Sequence, residues 1–328
     1  MKIGLGMALA LFLAAPGVTE PQTVKVHRIA FLGLSSPADY ATSLQAFRQG
    51  LRDLGYEEGR NISIEYRWAA GRDERLPGLA AELVRLNPDV LVTHAAPGVR
   101  AAQQATSTIP IIMGAVGDPV RLGFVKSLAR PGGNTTGVSS QLFVLAAKRL
   151  DLLKETVPNL RQVAVLSNLT RTGNPAAREG VREMEVAAPK LGLRVRAFEA
   201  VMEPPELERV LTAIVRERPD GLLVLPDSAI VAHNARIAEF AARNRLPAMG
   251  GERLFVAAGG LISYENDFQE GWRAAARYVV RVLNGAKPAE LPIEQPTKFH
   301  LAINLKTAKR LGLTIPPTLL LRADQVTE

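Results

Sequence analysis

The chain has 328 residues, 47% of them hydrophobic and 22% charged, and it contains no cysteine. Its length fits one large or two smaller soluble domains, and the missing cysteine excludes disulfides, thiolate metal sites and a cysteine nucleophile. The net charge of +8 comes from scattered basic residues that are not interleaved with aromatics, which argues against a nucleic-acid partner.

The first residues of the chain predict an export signal. Lys2 precedes an uncharged apolar stretch over 3–15, and Pro16-Gly17 follows it. This stretch is shorter than the roughly 20 residues that span a membrane, and it resembles the apolar core of a signal peptide. We therefore expect residues 1–20 to be a signal peptide, cleaved within 18–23 to release the protein into the periplasm with no lipid-anchor cysteine. The alternative is a buried N-terminal helix.

Short apolar runs alternate with amphipathic segments through the rest of the chain. Five nearly continuous apolar runs predict central strands that are covered on both faces, at 29–34, 90–93, 111–114, 163–167 and 222–225. Apolar residues at helical spacing lie between them, which indicates crossover helices and parallel sheets. Two segments alternate apolar and polar residues and predict edge strands, 62–68 and 193–197.

The same order of elements occurs twice. Arg28-Ile-Ala-Phe-Leu opens the first half and Gln162-Val-Ala-Val-Leu the second, and Asn87-Pro-Asp and Arg218-Pro-Asp each precede an apolar strand. This duplication predicts two Rossmann-like α/β lobes with parallel sheets. The elements that follow are helices over 142–155 and 268–283, a proline-rich connector over 285–296 and a strand over 299–303. Their order predicts that the chain crosses between the lobes repeatedly and forms a multi-strand hinge. The expected N-terminal lobe is 27–138 plus about 266–292, and the C-terminal lobe 139–265 plus about 293–328.

Motifs for common chemistries are missing. The chain has no phosphate-binding loop, no dinucleotide-binding glycine motif after a strand and no nucleophile elbow. The four histidines share no metal-ligand spacing. We therefore expect no cofactor, no metal and no catalysis. His94 is the one histidine placed as a possible base, so an exported α/β enzyme acting on a small molecule is the alternative.

Ligands of open α/β sheets bind beyond the carboxyl ends of the strands, and that rule selects the candidate binding residues. In the first lobe they are Ser35, Ser36, His94, Ala95, Ala96, Gly117 and Asp118. In the second lobe they are Asn168, Asp227, Ser228 and Tyr264, and the loop Gly250-Gly251-Glu252 occupies an equivalent position.

The chemistry of these loops suits a zwitterion. The helix N-terminus at Ala95 can hold a carboxylate, Asp227 or Asp118 can pair with an ammonium, and Tyr264 can cover an apolar group. The local alternative is that the serines and aspartates only cap helices or hold turns.

Several stretches resemble the ABC transporter substrate-binding protein family of the tryptophan or aromatic-amino-acid type, within the type I periplasmic binding fold. The stretches that carry the resemblance are Arg28-Ile-Ala-Phe-Leu-Gly, residues 47–56, Gly59-Arg-Asn-Ile, Gly117-Asp-Pro-Val, residues 128–134, Lys148-Arg-Leu and residues 303–309. The resemblance covers nearly everything from Arg28 onward. It implies two lobes with a hinge, and ligand contacts at the candidate loops.

The leading expectation is a periplasmic binding protein that captures an amino acid or related carboxylate for an ABC importer. Its partners would be the small ligand and the membrane permease, and the protein itself would be a monomer. A third possibility, the sensor lobe of a regulator, would require an appended signalling or DNA-binding module.

Overall fold

The computed structural model describes residues 26–168 and 175–328. The predicted signal peptide and residues 169–174 lie outside the described residues. So do the side chains at 142, 143, 175, 176, 228 and 229.

Five parallel strands form the first sheet, in the order β2-β1-β3-β4-β5. The strands are β1 (His27–Gly33), β2 (Ile62–Trp68), β3 (Val90–Thr93), β4 (Ile111–Val116) and β5 (Thr135–Ser139), and the connecting helices are α1 (Ala41–Asp53), α2 (Leu76–Arg85) and α3 (Ala95–Ala105). In β1, Ile29 and Phe31 enter one core cluster while Ala30 and Leu32 enter another. The apolar run is continuous because both faces of the strand are covered.

The second sheet has seven strands, in the order β12-β11-β10-β9-β8-β6-β7. Its elements are α4 (Leu142–Thr156), β6 (Gln162–Asn168), α5 (Pro175–Ala187), β7 (Arg194–Ala200), α6 (Pro204–Arg216), β8 (Gly221–Val224), α7 (Ser228–Val231), α8 (Asn234–Arg243), β9 (Ala248–Gly250), α9 (Arg253–Ala257) and β10 (Ile262–Asn266). The chain continues through α10 (Phe268–Leu283), β11 (Phe299–Asn304), α11 (Leu305–Arg310), α12 (Pro317–Leu320) and β12 (Gln325–Thr327). In the central strand β6, Val163 packs into one core cluster and Leu166 into another, so both faces of this strand are covered.

Three segments connect the sheets and form the hinge: the turn after β5, the turn after β10 and the chain between α10 and β11. They are hydrogen-bonded to one another. The Ser139 amide donates to the Glu294 carbonyl at 2.9 Å, and Asn266 Nδ2 donates to the Ser140 carbonyl at 3.0 Å. The helix α10 packs on the first sheet, where the Trp272 ring stacks on Phe31.

The predicted fold class is confirmed, with one difference in the second sheet. Both alternating segments form edge or near-edge strands as expected: β2 and β7 end their sheets. However, β10 and β11 pair antiparallel, so the second sheet is mixed rather than parallel. The reason is topological: β10 leaves the second lobe at the hinge and β11 enters at the same hinge, so the two strands run in opposite directions. Within the described ranges, no helix is both long and apolar enough to cross a membrane.

Candidate ligand-binding site

Asn168 and Asp227 come together at the carboxyl end of the second sheet. Asn168 is the last residue of β6, and Asp227 follows β8 in the neighbouring position. Asn168 Nδ2 donates to Asp227 Oδ1 at 2.9 Å. The amide therefore orients the carboxylate at the end of the sheet. Ser228 begins α7 directly after it, and its side chain lies outside the described residues.

The Tyr264 ring packs within the second lobe, whereas the sequence predicts that it covers an apolar group of the ligand. It lies within β10, which continues to Asn266, and its ring stacks on Phe299 with centroids 5.7 Å apart. The half-buried ring packs against the apolar core of the second lobe. Its backbone carbonyl, by contrast, accepts a hydrogen bond from Arg149 Nε at 2.7 Å.

Arg149 is a buried cation at this end of the second sheet. The side chain comes from α4 and the residue is 1% exposed. Nη2 donates to the Gly251 carbonyl at 3.3 Å, while Nη1 has no hydrogen-bond partner among the described residues. Burial lowers the pKa of the guanidinium to about 10, against the opposing charges of Glu252 and Glu265. Arg149 therefore remains charged at neutral pH beside these carboxylates.

Two carboxylates accompany Arg149. Glu265 lies on β10 and its Oε1 is 3.6 Å from Arg253 Nε. Glu252 follows β9, and it lines a small cavity together with Asp227, Gly250 and Gly251. The pKa of Glu252 is raised to about 7, mainly by burial and next by the charge of Glu265, against the lowering effect of Arg149.

In the first lobe, His94 is buried behind Tyr40. His94 follows β3 and is 6% exposed. Its Nδ1 is 3.1 Å from the Tyr40 hydroxyl and the two ring centroids are 4.4 Å apart, while Nε2 has no hydrogen-bond partner within the described part of the chain. Burial lowers the pKa of His94 to about 3, so the ring is neutral at physiological pH. The neutral imidazole orients Tyr40 rather than carrying a charge.

Aromatic rings line this part of the first lobe. The Tyr40 centroid is 5.8 Å from that of Trp68 and 6.4 Å from that of Trp272. Trp68 also stacks on Tyr66, at an interplanar angle of 6°. These rings form an apolar and polarisable wall beside a tyrosine hydroxyl. Such a wall can pack against a flat aromatic side chain.

Other predicted residues are engaged in local structure. Ser36 donates from both its amide and its hydroxyl to Asp39 Oδ2, at 3.0 and 2.7 Å, and the half-buried Ser35 precedes it. Asp118 Oδ1 accepts from the amides of Val120 and Arg121, at 3.0 and 3.1 Å. Ser36 and Asp118 therefore make the turn and cap contacts of the local alternative.

The remaining predicted residues, Gly117, Ala95 and Ala96, contribute backbone or packing. The Gly117 carbonyl accepts from Ser139 Oγ at 2.7 Å. Ala95 opens α3 with a left-handed backbone, φ 52°, and Ala96 packs into an apolar cluster. In the described part of the chain, no group of three His, Asp or Glu side chains could hold a metal ion.

Residues at the strand ends of the two lobes are close enough for their charges to interact. Burial is the main cause that raises the pKa of Tyr40 above its usual range, and the charge of Asp227 is the second cause. The same charge contributes to the raised pKa of Asp73. Tyr40 and Asp73 belong to the first lobe and Asp227 to the second. The acidic strand end of the second sheet therefore lies within electrostatic range of Tyr40 and Asp73 of the first lobe.

Two ion pairs also join the lobes directly. Arg121, in the loop after β4, contacts Glu179 and Glu183 on α5, with Nη1 2.6 Å from Glu183 Oε1. All three side chains are partly exposed. The pairs can form only while the lobes are close together.

Sequence reasoning missed Tyr40, Trp68, Arg149 and the ion pairs of Arg121. The strand-end rule could have found Tyr40, in the loop after β1, and Trp68, at the end of β2. Arg149 lies inside a helix beside Lys148 and looks like a surface pair in sequence. Only its packing against Gly251 and Tyr264 reveals that it faces the strand ends.

Comparisons with known proteins agree on one family. The family model described as ABC transporter substrate binding protein matches residues 29–327. The tyrosine-binding protein of Clostridioides difficile (strain R20291) is 28% identical over 269 residues, which is 82% of this chain and 76% of that protein.

Solved structures give the same picture. The ABC domain of Streptococcus pneumonia in complex with L-Trp matches with a TM-score of 0.81 at 28% identity, over 92% of this chain and 100% of that one. A conserved domain protein from Vibrio cholerae matches with a TM-score of 0.82 at 30% identity, with the same coverage. The two-lobed architecture is that of type I periplasmic binding proteins.

Proposed function

Because the chain belongs to the ABC transporter substrate-binding protein family, we propose that it captures an L-amino acid between its lobes, with aromatic amino acids as the first choice. The family is substrate-binding and non-catalytic, and its members bind small ligands and work with ABC permeases. The finer assignment is supported by one observation: Asn168 holds the Asp227 carboxylate at the end of the second sheet, near enough to Tyr40 of the first lobe for its charge to raise the pKa of that hydroxyl.

The carboxylate end of the site fits the ammonium of an amino acid. Asp227 is oriented by Asn168 and is half-buried, so a charge-assisted hydrogen bond formed there is shielded from water. At the N-terminus of α3, the backbone amides of Ala95 and Ala96 can donate to the ligand carboxylate. Ser35, Gly117 and the Ser228 position border the same strand ends.

The aromatic wall fits the side chain of such a ligand. Tyr40 and Trp68 offer ring faces, and His94 holds Tyr40 from behind without adding charge. The relatives support this choice, because one is a tyrosine-binding protein and another was solved with L-Trp. A neutral sugar offers no positive charge to the acidic end.

Calorimetric titration of the full chain tests the proposal. We expect saturable 1:1 binding of L-tryptophan or L-tyrosine, weaker binding of L-leucine, and none of neutral sugars. Mass spectrometry of the protein purified without refolding should release the same compound intact. Tight binding of a sugar with no response to any amino acid would overturn the proposal.

We also propose that the protein works in the periplasm as the binding component of an importer. The supporting features are the apolar segment over 3–15 and the family, whose members are extracellular or periplasmic. N-terminal sequencing of native protein should find a first residue within 18–23. A cytoplasmic pool that retains Met1 would contradict this proposal.

Domain motion completes the proposed mechanism. The lobe of 27–138 with about 266–292 and the lobe of 139–265 with about 293–328 would turn about the hinge segments and bury the ligand. The permease would then distinguish the closed, loaded form from the open one. The monomer that we expect would be sufficient, because both halves of the site come from one chain.

A further inference from the structure

The buried guanidinium of Arg149 leaves one donor unused at the carboxyl end of the second sheet. Its Nε donates to the Tyr264 carbonyl at 2.7 Å and its Nη2 to the Gly251 carbonyl at 3.3 Å. Nη1 is shielded from solvent and bonds to none of the groups that the structure describes. Because a charged donor buried without an acceptor is costly, Nη1 calls for an acceptor that the described residues do not supply.

The unused donor lies beside the loop that follows β9. Nη2 bonds to the carbonyl of Gly251, a residue that borders a small cavity together with Asp227 and Glu252. Nη1 and Nη2 are attached to the same carbon atom, so Nη1 is next to this loop. Arg149 therefore reaches from α4 to the strand ends, where the ligands of open α/β sheets bind.

The two neighbouring carboxylates do not complete the guanidinium. Glu252 and Glu265 are close enough for their charges to act on Arg149, but neither forms an ion pair with it within residues 26–168 and 175–328. Glu265 is paired instead with Arg253, whose Nε is 3.6 Å from its Oε1. The pKa of Glu252 is raised to about 7, mainly by burial, so this group is partly protonated at neutral pH and competes weakly for the guanidinium.

The chemistry of the guanidinium favours a carboxylate as the missing acceptor. Nη1 carries two N–H groups, and a carboxylate has two oxygens that can accept from them. A hydrogen bond between two charged groups is about twice as strong as one between neutral groups. A water molecule could also accept from Nη1, but it would leave the positive charge of Arg149 without compensation.

We propose that Arg149 binds the α-carboxylate of the captured amino acid through Nη1. This inference rests on the proposed function and adds the side chain that selects the acid group of the ligand. The amides of Ala95 and Ala96 in the first lobe can donate to the same carboxylate, which has enough lone pairs for both partners. The carboxylate then connects the two lobes, so a ligand without it loses a contact in each lobe.

The ligand reaches Nη1 when the neighbouring Glu252 side chain moves aside. Glu252 is half-buried, and none of the described residues forms a hydrogen bond or an ion pair with its carboxylate. Packing alone holds this side chain in place. A change of its rotamer therefore breaks no polar contact.

Calorimetric titration of L-tryptophan and tryptamine into wild type and Arg149→Gln tests the proposal. Tryptamine keeps the indole ring and the ammonium of L-tryptophan but lacks the carboxylate. Arg149→Gln keeps an amide donor and removes the charge, so L-tryptophan should bind on the order of 10- to 100-fold more weakly. Tryptamine affinity should change by less than about threefold, because tryptamine does not use the lost contact. Arg149→Lys restores the charge without the planar fork, so its L-tryptophan affinity should lie between those of wild type and Arg149→Gln.

Lys148→Gln is the matched control, because it removes the neighbouring positive charge of α4. Lys148 is partly exposed and its Nζ is 2.6 Å from Asp151 Oδ2, away from the strand ends. Its loss should leave the affinities for L-tryptophan and tryptamine at the wild-type level. Melting temperatures of all four proteins show whether each variant is folded.

Two results in a folded Arg149→Gln protein would overturn the proposal and leave the proposed function intact. Equal losses for L-tryptophan and tryptamine would mean that Arg149 only supports the Gly251 and Tyr264 backbone, and an unchanged L-tryptophan affinity would remove it from the site. If the Arg149 variants do not fold, the wild-type structure with L-tryptophan decides. A ligand carboxylate oxygen within about 3 Å of Nη1 supports the proposal, and a water or a Glu252 oxygen in that position contradicts it. If wild type binds no amino acid at all, both proposals fail.

Discussion

At the scale of single residues, Asp227 distinguishes ligand binding from local capping. Asn168 already orients its carboxylate, and the charge reaches Tyr40 of the other lobe. Asp227→Asn keeps the shape and an oxygen that can accept from Asn168, but removes the charge. We expect amino acid binding to weaken on the order of 10- to 100-fold, with a small change in the stability of the ligand-free protein. Calorimetry and urea unfolding of the same variant measure both quantities. A stability loss with unchanged affinity would make Asp227 a helix cap.

His94 offers a test by pH. Its pKa is about 3 in the folded protein and about 6.5 when unfolded, so the stability contributed by the neutral ring is present above pH 6.5 and lost as the pH falls towards 3. His94→Gln keeps an acceptor for the Tyr40 hydroxyl and cannot titrate. The stability advantage of wild type over this variant should shrink by about 2 kcal/mol between pH 7 and pH 5. A difference that stays constant with pH would show that His94 is not buried as a neutral ring.

Residue roles were only partly predictable from the sequence. Asn168 and Asp227 lie at the expected strand ends because strand ends follow from apolar runs. Ser36 and Asp118 fulfil the same rule, yet their side chains bond to their own turns. The sequence cannot separate these cases, because small polar residues at strand ends serve equally as caps and as ligand contacts.

At the scale of elements, the aromatic wall depends on the close approach of β1 and β2. A Cβ at Gly33 would lie 2.2 Å from Cε3 and Cζ3 of Trp68, so any larger residue must displace that ring. We expect Gly33→Ala to lower stability by about 1–3 kcal/mol and to weaken L-tryptophan binding several-fold, because Trp68 supports Tyr40.

Gly78 in α2 provides the matched control for this variant. A Cβ there would meet nothing within 4 Å, so Gly78→Ala should stabilise the protein by about 0.4–1 kcal/mol and leave binding unchanged. Thermal unfolding and calorimetry of both variants are the measurements. Wild-type affinity in a folded Gly33→Ala protein would remove Trp68 from the site.

Elements were the most predictable level of the structure. Continuous apolar runs predicted the central strands, and alternation predicted β2 and β7, because strand position in a sheet decides which faces are covered. The antiparallel direction of β11 was missed, since apolar patterning carries no information about strand direction. Only the path of the chain through the hinge determines it.

At the scale of the whole molecule, the Arg121 ion pairs should favour the closed arrangement. Arg121→Glu would replace attraction to Glu179 and Glu183 by repulsion. Partly exposed pairs contribute up to about 1 kcal/mol each, so we expect about five- to tenfold weaker ligand binding, with a smaller effect at high salt.

Two further variants control the Arg121 experiment. Arg121→Glu combined with Glu179→Arg and Glu183→Arg should recover affinity. Arg209→Glu removes an exposed pair with Glu206 on α6 of a single lobe, so its affinity should match wild type. Affinity that is unaffected by Arg121→Glu would show that these pairs do not contribute to closure.

The structure of the full chain crystallised with L-tryptophan is the most direct measurement of the proposed binding mode. We expect the ligand between the lobes, with its ammonium within about 3 Å of the Asp227 carboxylate and its ring against Tyr40 and Trp68. The lobes should enclose it with Arg121 paired to α5. L-tryptophan bound outside the gap between the lobes, or with its carboxylate rather than its ammonium at Asp227, would contradict this mode of capture.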